Sequence, residues 1–225
     1  MIAELKKRVT TSILLFIITI FCISLHKIIF IITLFVVSII CFKEWCEINH
    51  KHFSKKYWNY ALIKSLGLLY LIIFFTSALL LRGDSYGNIL LFIIILCICI
   101  CSDIGGYIIG KSIGGKKLIK ISPKKTISGS IGSFVFSLLP YFLLVINSQN
   151  YLDTASAFSL IDITFCLSIS FCCQLGDLII SYFKRLNNVK DAGTILPGHG
   201  GLLDRVDGII FAIPTAFILI FTQIY

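Results

Sequence analysis

The sequence has few of the features that mark a soluble protein. Charged residues make up only 14% of its 225 positions, and no soluble domain, long linker, internal repeat or low-complexity tract separates its apolar runs. Hydrophobic residues reach 57%, above the roughly 45–50% that is usual for soluble domains. These proportions exclude an ordinary soluble fold and indicate one membrane-embedded domain that covers residues 1–225.

Apolar runs recur at close to the length that a membrane-spanning helix needs, about 20 residues. The sequence therefore predicts an all-α integral membrane protein, a polytopic bundle of about seven transmembrane helices. Only His26 and Lys27 separate the first two runs, which predicts a tight helical hairpin or, alternatively, one re-entrant element. The predicted spans are residues 9–25, 28–42, 61–81, 89–109, 131–146, 160–183 and 208–225.

Two features invite other interpretations of these runs. Lys6, Lys7 and Arg8 precede the first run as in a signal peptide, but no small-x-small cleavage site precedes His26, so we expect a retained span. The nine cysteines are odd in number and lie mostly inside apolar runs. The alternating cysteines at 97, 99 and 101 would point to different faces of a helix, so we interpret the cysteines as packing residues.

Acidic residues are scarce, 11 against 20 basic ones, and the basic residues are unevenly placed. With a cytoplasmic amino terminus, 17 of the 20 lie in cytoplasmic segments, whereas Lys27 and Arg82 lie outside and Lys64 lies in a span. This is the positive-inside bias of membrane proteins. It accounts for the net charge of +9 without a nucleic-acid partner, and it gives a face that attracts anionic lipids.

Two carboxylates fall inside the predicted spans, where acidic residues are costly and suggest function. Asp103 stands before a pair of glycines late in the fourth span. Asp177 belongs to a polar stripe, because helical spacing places Gln174, Asp177, Ser181 and Lys184 on one face. The stripe predicts a polar cavity that opens to the cytoplasm.

The segment that follows the stripe concentrates groups suited to a metal-bound phosphate ligand. Asp204 and Asp207 follow a glycine-rich turn at residues 196–201, and Mg²⁺ prefers such oxygen ligands. Glycines allow backbone N–H groups to approach phosphate oxygens, and the last helix should start nearby with its positive end. A basic topogenic loop with Asp207 as a helix cap would explain the charges but not the glycines and His199. No Cys or His lies at zinc-ligand spacing around His199, which we interpret as a hydrogen-bonding member of the turn.

A second basic segment, residues 110–132, contains six lysines together with Ser122, Thr126 and several glycines. It superficially resembles a P-loop, but Lys117 occupies the position of the metal-binding Ser or Thr, which excludes that motif. The composition favours a flexible phosphate-binding strap, although topology alone would explain part of the charge.

From these residues, the sequence resembles the bacterial phosphatidate cytidylyltransferases, also called CDP-diacylglycerol synthases. Their signature has the form Ser-x-x-Lys-Arg, four residues, Lys-Asp-x-Gly, then Leu-Pro-Gly-His-Gly-Gly, two residues and Asp-Arg-x-Asp. Every fixed position is present between Ser181 and Asp207. The resemblance extends upstream through Gln174, the segment 121–126, Asp103 with Tyr107, and Glu44 with Trp45. Two positions depart from the family pattern: Ser128 replaces a Glu and Gly106 replaces an Ala.

The resemblance implies transfer of CMP from CTP to phosphatidic acid by a homodimeric, multi-pass enzyme of the bacterial inner membrane, with its active site facing the cytoplasm. It also implies bound Mg²⁺, with K⁺ as a candidate second metal. The candidate catalytic residues are Asp177, Lys184, Arg185, Lys190, Asp204 and Arg205. The candidate substrate-binding residues are Asp103, Ser122, Lys125, Thr126, Ser181, Asp191, Pro197, Gly198, His199, Gly200 and Gly201. The candidate metal ligands are Asp177, Asp204 and Asp207.

Three other classes compete with this interpretation. A secondary transporter would also carry intramembrane carboxylates, but the sequence has no inverted repeat and its polar residues cluster at one end instead of the midplane. A CDP-alcohol phosphatidyltransferase carries an Asp-Gly-x-x-Ala-Arg element that is absent here. A polyprenol kinase lacks the Pro-Gly-His-Gly-Gly turn.

The charge bias and the seven predicted spans place the amino terminus in the cytoplasm and the carboxyl terminus outside it. A reporter fused after Tyr225 that is active only outside the cytoplasm should therefore give a signal. A signal from a reporter that is active only in the cytoplasm would contradict this topology.

Overall fold

A computed structural model of the chain describes residues 14–53, 57–119, 122–149, 159–195 and 200–222. These residues are overwhelmingly helical, which confirms the prediction of an all-α membrane protein. The elements are α1 (Leu14–Ser24), α2 (Lys27–Phe53), α3 (Tyr57–Arg82), α4 (Tyr86–Ile113), β1 (Lys117–Ile119), β2 (Ser122–Thr126), α5 (Ile127–Ser137), α6 (Leu139–Gln149), α7 (Leu160–Leu186) and α8 (Leu203–Phe221).

Five candidate spans are long and apolar enough to cross a membrane within the described part of the chain. They are Lys27–His50, Trp58–Arg82, Tyr86–Ile113, Ile127–Ile146 and Leu160–Leu186. The two remaining predicted spans correspond to α1, which is shorter, and to α8, which carries Asp204, Arg205 and Asp207 in its first turns. The multi-pass character is confirmed, and a count of seven stays a prediction.

The chain divides into two compact units. The first consists of the described residues up to Ile89 together with Ile179–Asp207, and the second consists of Leu90–Leu178 with the described residues from Gly208 onward. Helices α4, α7 and α8 run through the points of division. Each unit is described by itself below.

In the first unit, α2 packs against α3 through Trp45. The indole Nε1–H donates to the carbonyl of Ile63 at 3.1 Å, and the ring meets Phe183 edge-on at 4.7 Å between centroids. The sequence predicts a second span over residues 28–42 only, but α2 continues to Phe53. The longer helix arises because Cys41, Trp45 and Ile48 share one helical face and are all buried.

The buried Arg82 side chain holds the end of α1. Its guanidinium donates to the carbonyl of Ile23 at 3.0 and 3.2 Å and also to that of Leu25, so it satisfies carbonyls that a helix end leaves without intrahelical partners. Nearby, the exposed side chains of Lys27 and Asp84 form an ion pair at 2.6 Å. The hydrogen bond from Lys27 holds the pKa of the Asp84 carboxyl below its ordinary value.

In the second unit, glycines bring α4 and α5 into close contact. A Cβ atom added to Gly132 would lie 2.5 Å from the Ile109 Cβ and 2.8 Å from the Gly105 carbonyl oxygen. Small residues allow such backbone approach between membrane helices. A buried polar chain adds to this packing: Ser102 and Ser170 share a hydrogen bond of 2.8 Å, and Gln174 continues it.

The basic strap predicted between α4 and α5 forms a short antiparallel hairpin, β1 with β2. Gly114 and Gly115 adopt positive φ values of 64° and 107°, which end α4 and turn the chain toward β1. Thr126 then caps α5, since its hydroxyl accepts a hydrogen bond from the Gly129 N–H at 3.1 Å. Strand pairing thus gives the strap a defined structure that composition alone did not predict.

Two helix ends set the position of the signature segment. Helix α7 ends in a Schellman motif, because Asn188 adopts a φ of 54° and the Val189 N–H donates to the Lys184 carbonyl at 3.0 Å. Helix α8 begins at Leu203, earlier than the predicted start at residue 208. Asp204, Arg205 and Asp207 are therefore helical residues.

The contact between Trp45 and α3 predicts a penalty for Gly67→Ala. The new methyl group would overlap the Trp45 ring and break its bond to Ile63, so we expect the free energy of unfolding to fall by about 1–3 kcal/mol. Thermal unfolding in detergent micelles measures this. Gly87→Ala is the control, because its methyl group would meet nothing closer than 3.9 Å. Equal melting temperatures for the two variants would contradict the packing of Trp45.

Candidate active site

The predicted site residues that the structure describes lie on four parts of the fold. Asp103 is on α4, and the hairpin and its end carry Ser122, Lys125 and Thr126. The end of α7 and the loop after it carry Asp177, Ser181, Lys184, Arg185, Lys190 and Asp191, and the start of α8 with the residues before it carries Gly200, Gly201, Asp204, Arg205 and Asp207. Pro197, Gly198 and His199 lie outside the described residues.

In the first unit, Asp204 is the centre of a cluster that we call the Asp204 cluster: Lys184, Ala192, Gly201 and Asp204. The Lys184 ammonium donates to Asp204 Oδ1 at 2.6 Å. Asp204 Oδ2 accepts the backbone N–H groups of Ala192 at 2.7 Å and Gly201 at 3.0 Å. One carboxylate thereby connects the end of α7, the loop after it and the start of α8.

The ion pair at the heart of the Asp204 cluster is buried. The side chains of Lys184 and Asp204 are only 10% and 7% exposed. Two charges removed from water are stable together only with close pairing and further hydrogen bonds, and both conditions hold here. The position of Asp204 in the first turn of α8 adds the favourable interaction of an anion with a helix amino terminus.

Glu44 on α2 is a buried carboxylate that the family resemblance included but the candidate site residues did not. It is 1% exposed, and its oxygens accept the N–H groups of Leu202 at 3.0 Å and Leu203 at 2.7 Å. These are two of the N–H groups that the start of α8 leaves without helical partners. A signal existed, because Cys41, Glu44 and Ile48 are spaced on one helical face, which places Glu44 among buried residues once α2 is known to extend past residue 42.

Close approach of the backbone explains part of the glycine-rich turn. Gly200 has a φ of 82°, a left-handed conformation that suits glycine. A Cβ atom on Gly201 would lie 2.6 Å from both the Gly193 nitrogen and Glu44 Oε2. The N–H groups of Gly201 and Leu202 point to the protein's own carboxylates. These glycines therefore build the turn in addition to any contact with a ligand.

In the second unit, Asp177 forms an ion pair with Lys125 of β2. Both side chains are about one-third exposed, 28% for Lys125 and 31% for Asp177, so this pair is much more accessible than that of Lys184. One turn earlier on α7, the Gln174 amide oxygen accepts a hydrogen bond of 2.5 Å from Ser130 of α5. The structure thus places Lys125 of the hairpin beside Asp177 of α7, a contact that the sequence did not predict.

Several cations of the signature are exposed and accessible to a charged ligand. Arg185, Lys190 and Arg205 are all exposed, and Arg185 makes a long hydrogen bond of 3.4 Å to the Val189 carbonyl. Asp191 is also exposed, whereas Ser181 and Asp207 are half-buried. Asp103 is exposed on α4, one residue from the buried Ser102. Thr126 serves as the cap of α5, a structural role that the sequence did not indicate.

The carboxylates fit Mg²⁺ by the chemistry of their oxygens. Within the described ranges, no three His, Cys, Asp or Glu side chains converge as a complete metal cage. Mg²⁺ is commonly held by one or two carboxylates together with substrate phosphates and water, which needs no such cage. A carboxylate has about four acceptor sites, and the three hydrogen bonds to Asp204 leave about one of them unused.

Apolar helices long enough to cross a membrane, carboxylates paired with lysines and exposed cations define a membrane protein with charged groups suited to anionic ligands. A family model described as the cytidylyltransferase family matches residues 51–223. The chain belongs to this family, which confirms the resemblance that the signature indicated.

Individual relatives are similar over most of the chain. A phosphatidate cytidylyltransferase of Rickettsia bellii (strain RML369-C) is 36% identical over 202 residues, 86% of this chain and 80% of the relative. That of Rickettsia typhi (strain ATCC VR-144 / Wilmington) is 33% identical over 225 aligned positions, 93% of this chain and 89% of the relative. That of Bacillus subtilis (strain 168) is 42% identical, but the match covers 61% of this chain and 49% of the relative.

The burial of the Lys184–Asp204 pair predicts a large effect of Lys184→Met. The variant keeps the unbranched apolar part of the side chain and removes the ammonium group, which leaves Asp204 buried without a countercharge. We therefore expect the free energy of unfolding to fall by about 3 kcal/mol. Thermal or denaturant unfolding in micelles measures this. Lys27→Met is the matched control, since its ion pair has the same length of 2.6 Å but is exposed. Similar losses in both variants would show that burial does not strengthen the pair.

Proposed function

We propose that this chain is a phosphatidate cytidylyltransferase, which transfers CMP from CTP to phosphatidic acid and yields CDP-diacylglycerol and pyrophosphate. The observation that carries the proposal is the complete signature from Ser181 to Asp207, whose described residues are organised around the buried Lys184–Asp204 pair. Relatives with that activity in their names align with 86–93% of the chain, which supports the same assignment.

The reaction is a nucleotidyl transfer at phosphorus. A phosphate oxygen of phosphatidate forms a bond to the α-phosphorus of CTP, the bond from that phosphorus to the bridging oxygen breaks, and pyrophosphate leaves with the electron pair. The attacking phosphate monoester has a second pKa of about 6 and is already largely ionised at neutral pH. The protein therefore needs no general base, and its work is to position the reactants and to neutralise charge.

The exposure of each basic residue indicates its role in binding and neutralising the phosphates. The exposed Arg185, Lys190 and Arg205 are available to bind phosphate oxygens of CTP and pyrophosphate. Lys125 of β2, whose ion pair with Asp177 is partly exposed, adds another cation beside that carboxylate. The buried Lys184 fixes Asp204 and contributes its charge from within the protein.

Mg²⁺ is the cofactor of the proposal, with K⁺ as a candidate second metal. Asp177, Asp204 and Asp207 would hold the metal together with phosphate oxygens of the substrate, and the metal would offset charge that develops on those phosphates. This assignment rests on the oxygen donor set and on the family resemblance. That Asp177 and Asp204 serve one metal assembly stays a prediction from the signature and the family resemblance.

The membrane supplies the lipid substrate and orients the enzyme. The positive-inside bias supports an active site on the cytoplasmic side, where CTP is available. By resemblance to the family, we also propose that the chain acts as a homodimer, with no nucleic-acid partner.

The direct test is transfer of labelled CMP from CTP to phosphatidate by the purified protein in micelles. We expect labelled CDP-diacylglycerol in the presence of Mg²⁺ and none in excess chelator. Diacylglycerol and a polyprenol, offered as alternative acceptors, should remain unlabelled. Transfer to either acceptor but not to phosphatidate would overturn the proposed function, and full turnover in chelator would overturn the metal.

Asp177→Asn and Asp204→Asn test the shared site. Each substitution keeps the side-chain size but removes a charge, and each should lower turnover at least about a hundredfold. The double variant should be little worse than either single variant, because residues that serve one assembly do not act additively. Asp177→Asn is the cleaner variant, since Asp204 also holds the turn.

Asp162→Asn on the same helix is the matched control for Asp177→Asn. Asp162 lies in the first turn of α7, where its carboxylate accepts hydrogen bonds from Ser159, and the distance along the helix to residue 177 is about 22 Å. We expect near-normal turnover from this control. Near-normal turnover from Asp177→Asn would show that the proposed metal site is wrong.

A further inference from the structure

Two carboxylates of the first unit, Glu44 and Asp204, contact the same two loop segments, residues 192–193 and 201–203. The hydrogen bonds of Glu44 reach only the second segment, and its contact with the first is close packing against Gly193. Asp204 accepts the N–H groups of Ala192 and Gly201, and Glu44 accepts those of Leu202 and Leu203. Gly201, which Asp204 binds, directly precedes Leu202 and Leu203, which Glu44 binds, so the two carboxylates hold consecutive residues of the backbone. Glu44 comes from α2, 158 residues before Leu202 in the sequence.

The surroundings of Glu44 leave its carboxylate little freedom. A Cβ atom added to Gly193 would lie 2.5 Å from Glu44 Oε1, and one added to Gly201 would lie 2.6 Å from Glu44 Oε2. Backbone from both loop segments therefore packs directly against this side chain. Because both carboxylate oxygens act as acceptors at the positive end of α8, the side chain is suited to hold that helix start in one place.

We infer that Glu44 is a positioning residue for the proposed reaction, which acts through Asp204. It fixes the start of α8 and the adjacent turn, and so directs the Asp204 carboxylate toward Lys184 and the site. Glu44 is 1% exposed, which leaves no surface for a substrate, so its effect on chemistry is transmitted by the backbone. The expected loss of kcat rests on the proposed function, whereas the contact of Glu44 with the start of α8 does not.

Glu44→Gln is the first test, because it preserves size and replaces one acceptor oxygen by an NH₂ group that faces a backbone N–H. We expect kcat to fall about tenfold or more, with the KM for phosphatidate changed less than twofold. Glu47→Gln is the matched control on the same helix. Glu47 is exposed, and its Oε1 lies 4.0 Å from Nζ of the exposed Lys43. This control should leave both constants unchanged.

A double-mutant cycle distinguishes positioning from plain stabilisation. If Glu44 acts through Asp204, then Glu44→Gln should lower kcat in the otherwise unchanged protein but have little further effect in an Asp204→Asn background. A loss of the same size in both backgrounds would show that Glu44 stabilises the fold without positioning Asp204, and would overturn the inference.

A second cycle tests the geometry without any assay of activity. All three nearest contacts of a Cβ on Gly193 belong to the Glu44 side chain. Gly193→Ala should therefore lower the melting temperature of the unchanged protein but have little effect in a Glu44→Ala background. Equal losses in the two backgrounds would overturn the contact. Because this measurement is independent of CMP transfer, failure of the proposed function alone would leave its result intact.

Discussion

The arrangement of the signature segment depends on the burial of carboxylates beside backbone N–H groups. In a mostly apolar protein, Glu44 and Asp204 are stable because each accepts two backbone N–H groups, and Asp204 also has Lys184 as a countercharge. Removing these carboxylates from water is costly, so few other loop conformations would give them equally good hydrogen bonds. The same constraint determines where α8 begins, since its first N–H groups are bound by a side chain from α2.

The two ion pairs of the candidate site differ in a way that suggests different uses. Lys184 and Asp204 are nearly inaccessible, and their pairing is part of the fold. The side chains of Lys125 and Asp177 are about one-third exposed, so water and dissolved ions weaken the attraction between them. Ion pairs of this kind contribute little to stability. Loss of the lysine partner should therefore cost less stability at Asp177 than at Asp204.

Much of this organisation was predictable from the sequence, because it depends on local pattern. Apolar runs predicted the long helices, and the spacing of Asp177 and Lys184 predicted a continuous polar stripe on α7. The role of Glu44 was not predictable in this way, since its partners lie 158 and 159 residues away. The early start of α8 was missed for the same reason. The pairing of β1 with β2 was missed because a lysine-rich strap carries no alternation of apolar residues.

The glycine-rich turn shows why a signature does not by itself assign residues to chemistry. Gly201 is required where it stands because a side chain would collide with Gly193 and Glu44, and this holds whether or not a phosphate binds nearby. Arg185 and Lys190 in the same signature are exposed, and in the described structure their side chains contribute little to packing. A loss of activity on substitution therefore has different meanings at the two kinds of position. At the glycines it reports the shape of the turn that holds Asp204, and at the exposed cations it tests the proposed contact with a charged substrate.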